Sequence, residues 1–187
     1  MKIQDLYRES KDKSLDDDRA RRLLTALNDY IWTFEEKPKA GRYTGMNAAN
    51  VILAYRNLYQ NHPLLKAEIT RQGENILWII KHYTYFFNAQ DIANTLNAMS
   101  KVGLSVEGLE ELLQSAISRN AEHFNAQGIA NALNAMANLG LSVDGLVVIL
   151  RSAISRNVRS FNAQEIANTL NAMAKLGLSV NGLENIL

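Results

Sequence analysis

Residues 87–104 read FNAQDIANTLNAMSKVGL, and the stretch returns as FNAQGIANALNAMANLGL at 124–141 and as FNAQEIANTLNAMAKLGL at 161–178. Phe87, Phe124 and Phe161 stand 37 residues apart, and the segments that follow repeat as well: SVEGLEELLQSAISRN, SVDGLVVILRSAISRN and SVNGLENIL. A fixed period of roughly 20 to 50 residues is the mark of stacked repeats, each too small to bury its own apolar face. Asn88 with Asp91, and Asn162 with Glu165, have the spacing of a capping box, whereas Gly128 removes half of the box in the middle copy. Phe87 and Ile92, Phe124 and Ile129, and Phe161 and Ile166 are placed as hydrophobic staples. Gly103, Gly140 and Gly177 suit a left-handed helix end, with Leu104, Leu141 and Leu178 folding back on Met99, Met136 and Met173. Ser105, Ser142 and Ser179 are expected to cap a second helix, whose stripe in the first copy is Leu109, Leu112, Leu113, Ala116 and Ile117. The expected fold is all-α: an α-solenoid of stacked helix–turn–helix hairpins with a helical N-terminal cap.

Working outward, residues 1–13 are polar and mixed in charge and are expected to be frayed or disordered. Ser14 and Asp17 have capping-box spacing, and Leu23, Leu24, Leu27, Tyr30, Ile31 and Phe34 then form one helical face. Residues 35–45, EEKPKAGRYTG, read as a loop. A degenerate repeat follows. Tyr43 takes the place of the phenylalanine, Ala49-Asn50 and Ala54 those of Ala93-Asn94 and Ala98, and the offset to the next copy is 44 rather than 37. A turn at Pro63 and a second helix over about 65–83 complete it. The expected organisation is a tail, capping helix and loop (1–42), a degenerate first repeat (43–86), repeats at 87–123 and 124–160, and a truncated last repeat (161–187). An end there exposes Leu178, Leu183, Ile186 and Leu187, so a fragment of a longer array is expected, or end-to-end self-association through the uncapped repeat.

The net charge is +1, the hydrophobic fraction 47%, and there is no cysteine. Near-neutrality argues against a strongly electrostatic nucleic-acid binder, and the missing thiols exclude a disulfide scaffold. No apolar run reaches the roughly 18 residues of a membrane span, and MKIQDLYRESKDKSLDDDRARR contains no apolar signal stretch. A cytoplasmic protein is expected, with delivery to a host cytosol by a non-classical route left open. His62, His82 and His123 stand in dissimilar contexts without metal-ligand spacing, and no glycine-rich phosphate loop or nucleophile–base pairing recurs. No enzyme, metal or cofactor is expected.

What recurs is amide. Gln90, Asn94, Asn97 and Lys101 share one helix face, and the copies are Gln127, Asn131, Asn134 and Asn138, then Gln164, Asn168, Asn171 and Lys175. Such a ladder suits hydrogen bonding to base edges or a peptide backbone; alternatively the amides satisfy backbone groups or bond across repeats. A basic column, His82, Arg119 and Arg156 with Arg151 and Arg159 nearby, either tracks phosphates or complements helix C-termini.

The run F-x-x-Q-x-I-A-N-x-L-x-A-M-x-K-x-G, clearest over 87–187 and weaker over 43–86, resembles the octotricopeptide repeat. It is also similar to related helical-hairpin repeats in bacterial effector-like proteins. The resemblance implies helical hairpins and, as in organelle members, RNA binding at about one nucleotide per hairpin. Asn97, Asn134 and Asn171 stand where that family commonly has tryptophan. The repeats differ at Asp91/Gly128/Glu165, Thr95/Ala132/Thr169, Glu110/Val147/Glu184 and Glu111/Val148/Asn185, while the amides hardly vary. A near-invariant face suits weak, sequence-tolerant RNA binding along the first helices, with a protein-interaction scaffold as the alternative; exposure of Val147 and Val148 favours the latter.

Overall fold

The computed structural model describes residues 2–36 and 42–179. Among these the protein is all-α, with no strand. It divides into two compact units, the first comprising 1–87 with 101–104, the second 88–100 with 105–187.

The first unit begins with a helix where disorder is expected. α1 (Ile3–Ser10) buries Ile3, Leu6 and Ser10, spaced three and four apart, and packs on α3 (Arg42–Asn61). Two apolar residues in a polar segment suffice because α3 supplies polar partners as well. Gln4 donates to Asn47 at 3.1 Å, and Asn57 donates to the Ser10 hydroxyl at 3.0 Å. α2 (Asp17–Glu36) is capped by Asp16, which accepts from the Arg19 N–H at 2.7 Å. Ser14, the expected cap, instead donates its backbone N–H and hydroxyl to Asp12. The α2 stripe of Ala20, Leu23, Leu24, Leu27 and Ile31 is buried, at about 1.5–3 kcal/mol for each large aliphatic side chain.

Both ends of the expected loop over 35–45 are helical. α2 runs to Glu36 and α3 starts at Arg42, so Tyr43 and Gly45 lie within a helix, and Pro38 lies outside the described residues. Gly45 marks close packing rather than a break: a Cβ there would come within 2.2 Å of the Phe86 carbonyl oxygen. The second helix of the degenerate repeat is also interrupted. A 3-10 turn (Pro63–Leu65) leads into α4 (Lys66–Arg71), which ends at Gln72 before α5 (Gly73–Tyr83). Gly73 is buried, with Leu104 Cδ2 2.8 Å from where its Cβ would lie. Asn28 of α2 accepts from the Tyr55 hydroxyl of α3 and, at 3.2 Å, from Asn75 of α5. Burial pushes the Tyr55 phenol well above its usual range.

From α6 (Ala89–Val102) onward one pattern recurs: α7 (Glu110–Asn120), α8 (Ala126–Leu139), α9 (Val147–Asn157) and α10 (Ala163–Lys175), with 3-10 turns at Thr84–Phe86, Ala121–His123 and Val158–Ser160 preceding each phenylalanine. The capping boxes form as expected. Asn88 and Asp91 exchange bonds at 2.9 and 3.1 Å, Asn162 and Glu165 both at 2.9 Å, and Asn125 accepts only from the Gly128 N–H. The helix ends also close as expected. Gly140 and Gly177 take φ of +66° and +67°, and the N–H groups of Leu141 and Leu178 bond to Met136 and Met173.

The serines do not cap the second helices. Ser105 and Ser142 accept from the N–H groups of Glu107 and Asp144, beginning a turn that Gly108 and Gly145 complete at φ of +74° and +77°. These left-handed glycines delay α7 and α9 to Glu110 and Val147. The second helix expected after Ser179, and the expected exposure of Leu183, Ile186 and Leu187, fall outside the described residues.

Within the second unit α8 packs against α9 and α10. The ties between successive hairpins repeat with the sequence. Gln114 of α7 donates to the Ser142 carbonyl at 3.0 Å, and Arg151 of α9, one period on, donates to the Ser179 carbonyl at 2.7 Å.

Candidate nucleic-acid interface

The first helices of the second unit divide their surfaces cleanly. In α8, Ile129, Ala130, Ala132, Leu133, Ala135 and Met136 are buried. Gln127 and Asn138 are exposed, while Asn131 and Asn134 are half-buried at the edge of the core. The other copies agree: Gln90 is exposed and Asn94 and Asn97 half-buried on α6, while Gln164, Asn171 and Lys175 are exposed and Asn168 half-buried on α10. Lys101, on the last turn of α6, is exposed and groups with the first unit. The structure therefore brings the α8 and α10 copies together on two packed helices.

The hydrogen bonding of these amides bears on the reading that they bond internally. Gln164 donates to Asn168 at 3.0 Å along α10. Among the described residues, no protein group hydrogen-bonds the side chains of Asn94, Asn97, Asn131, Asn134 or Asn171. The expectation that the amides satisfy backbone groups or pair across repeats is thus not met at these positions. Asparagine in a helix interior costs roughly 0.7 kcal/mol relative to alanine, and here no internal bond offsets it. Each amide offers a carbonyl acceptor and two N–H donors at the surface, chemistry that matches base edges and backbone amides alike.

The basic column behaves differently. Arg156 donates to the Ser152 hydroxyl at 2.8 Å and to the carbonyl of Ala121, the residue that caps α7 and starts the 3-10 turn, at 3.0 Å. It is a helix-end clamp, as the dipole reading expects. Arg119, its equivalent, is exposed at the end of α7. His82 stacks on Trp78 at 4.4 Å and bonds through Nδ1 to the Trp78 carbonyl. His62 is buried beside Asp17, with Nδ1 3.5 Å from Oδ1. No group of three or more His, Asp or Glu residues placed to hold a metal occurs among the described residues. No described helix is long and apolar enough to cross a membrane.

Sequence reasoning overlooked Asn120 and Asn157, which close the second helices. Asn157 donates to the carbonyls of Ala153 and Phe124, at 2.9 and 3.0 Å, and Asn120 to that of Ala116 at 3.0 Å. The signal was present in the repeated SAISRN, whose asparagine stands at both 120 and 157.

Fold and surface together define an all-helical repeat protein whose first helices present amides without a protein partner. The chain belongs to the family of RNA-editing substrate-binding complex 6 proteins, whose sequence model matches residues 41–186. Comparison with curated proteins gives no match.

Proposed function

We propose that the hairpins stack as an α-solenoid and that the amide faces of α6, α8 and α10 hold single-stranded RNA with little sequence preference, acting by binding rather than catalysis. The observation that carries this reading is the set of five asparagines on those helices that no protein group engages. The family's name, that of an RNA-editing substrate-binding complex, makes RNA the first ligand to test. The ties Gln114–Ser142 and Arg151–Ser179, one period apart, support stacking of successive hairpins. Near-identical faces supply the same donors and acceptors at each step, which suits a sequence-tolerant grip. Lys101 and Lys175, exposed at the ends of α6 and α10, add phosphate contacts.

Fluorescence anisotropy with single-stranded RNA, at low and moderate salt, tests the proposal. Binding should weaken with salt as counterions are released, and Asn131→Ala/Asn134→Ala should lower affinity about tenfold if the two amides together contribute ~1.4 kcal/mol. No binding at low salt, or full affinity in the double variant, would contradict it. A second reading, a protein-interaction scaffold, is favoured by Val148, which is 80% exposed.

A further inference from the structure

The second unit contains an open cleft of about 420 Å³ that no residue of the amide face lines. Its walls come from the end of α7, the 3-10 turn after it and α9, and include Arg119, Glu122, His123, Val148, Ile149 and Arg156. We infer that this cleft takes a segment of a partner protein in which an acidic residue lies close to an aliphatic or aromatic one. The inference rests on the second reading above and is independent of RNA binding.

Comparison of the two copies of the second helix motivates the choice of occupant. α7 opens with Glu110 and Glu111, whose charges suit the positive end of the helix dipole. At the same positions α9 has Val147 and Val148 and no acidic residue in its first turn. The middle repeat thus lacks that stabilisation and leaves a valine in water, while Leu150, Ala153 and Ile154 fill the core side of the helix. An apolar side chain docked over Val148 and Ile149 removes that surface from solvent.

Charge supplies the second half of the recognition. Two guanidinium groups and the His123 imidazole line the cleft against a single carboxylate, Glu122. Arg156 is oriented by its bonds to Ser152 and Ala121, so its remaining N–H groups meet an incoming carboxylate with little further ordering. A phosphate chain would use the cations but gain nothing from Val148. The mixed lining therefore favours an acidic, apolar peptide.

The test is selection from a displayed library of short random peptides on the full chain, followed by anisotropy with the enriched sequences. Enriched peptides should pair Asp or Glu with a large apolar residue and should lose at least about tenfold in affinity, ~1.4 kcal/mol, on Val148→Asp. That substitution places an acid where α7 already carries Glu111, so folding is preserved while the apolar contact is lost and the carboxylate repelled. Arg156→Gln should weaken binding similarly, and single-stranded RNA should not displace the peptide. Peptides bound equally well by Val148→Asp would overturn the cleft while leaving a scaffold elsewhere intact. Displacement by RNA would make the cleft part of a nucleic-acid surface instead. Failure to enrich any peptide would remove both the cleft and the scaffold reading, with RNA binding still open.

Discussion

α3 and α8 derive from the same repeat pattern, yet their polar faces have opposite fates. At the offset of 44, Asn50, Leu53 and Asn57 of α3 stand where α6 has Asn94, Asn97 and Lys101. Leu53 is buried, and Asn57, only 7% exposed, donates to Ser10 of α1 while accepting from Arg56. In α8, Asn131 and Asn134 lie at the surface with no such partner. A helix face with the same repeat register is thus held by internal hydrogen bonds where α1 covers it, and keeps unengaged amides on α8 among the described residues. Under the proposed function the two helices divide stability from binding, and mutations on them should separate in the same way.

The largest effect is expected at Gly45→Ala. The new Cβ meets the Phe86 carbonyl rather than a flexible side chain, so α3 must shift, at a cost of about 3 kcal/mol in chemical denaturation. Asn57→Ala leaves Ser10 and Arg56 with lost partners and should cost about 2 kcal/mol without changing RNA affinity. Asn131→Ala/Asn134→Ala should do the reverse. Removing two poor helix formers raises stability by roughly 1 kcal/mol while RNA affinity falls. A destabilised double variant would show that these amides hold the fold after all. Gly128→Glu restores the missing half of the capping box and removes a helical glycine. It should add about 1 kcal/mol, since Asp91 and Glu165 fit beside the same Asn and Phe residues in the other copies.

The last effect is read most clearly at alkaline pH. The Tyr55 phenol has a raised pKa in the folded chain, so its contribution is complete below the unfolded value of about 10 and is lost as pH rises above it. Tyr55→Phe should flatten the decline in stability above about pH 10, read from denaturation midpoints, and should cost stability near neutrality by leaving Asn28 with one donor fewer.

The regular repeats were legible in the sequence because their determinants are local. Asn88 with Asp91, Asn162 with Glu165, and Gly140 with Leu141 settle helix ends within a few residues of themselves. What was not legible depends on distant partners. α1 has two buried apolar residues and becomes ordered through Asn47 and Asn57. Gly45 looks like a loop residue until the backbone of Phe86 arrives beside it. The serine caps fail for a local reason that was present in the sequence: Gly108 and Gly145 follow three residues behind and adopt a left-handed turn before the helix can start. The amide face itself was legible as a periodicity. That five of its asparagines have no protein partner was not, because periodicity does not say what lies opposite a side chain.

Side-chain amide NMR of the isotope-labelled chain tests the central claim most directly, because it reads engaged and unengaged asparagines in one spectrum. On addition of single-stranded RNA, the NH₂ signals of Asn131, Asn134, Asn168 and Asn171 should shift, while those of Asn28, Asn57 and Asn75 stay in place. Uniform shifts in both groups, or stationary α8 and α10 amides with RNA bound at saturation, would contradict the account.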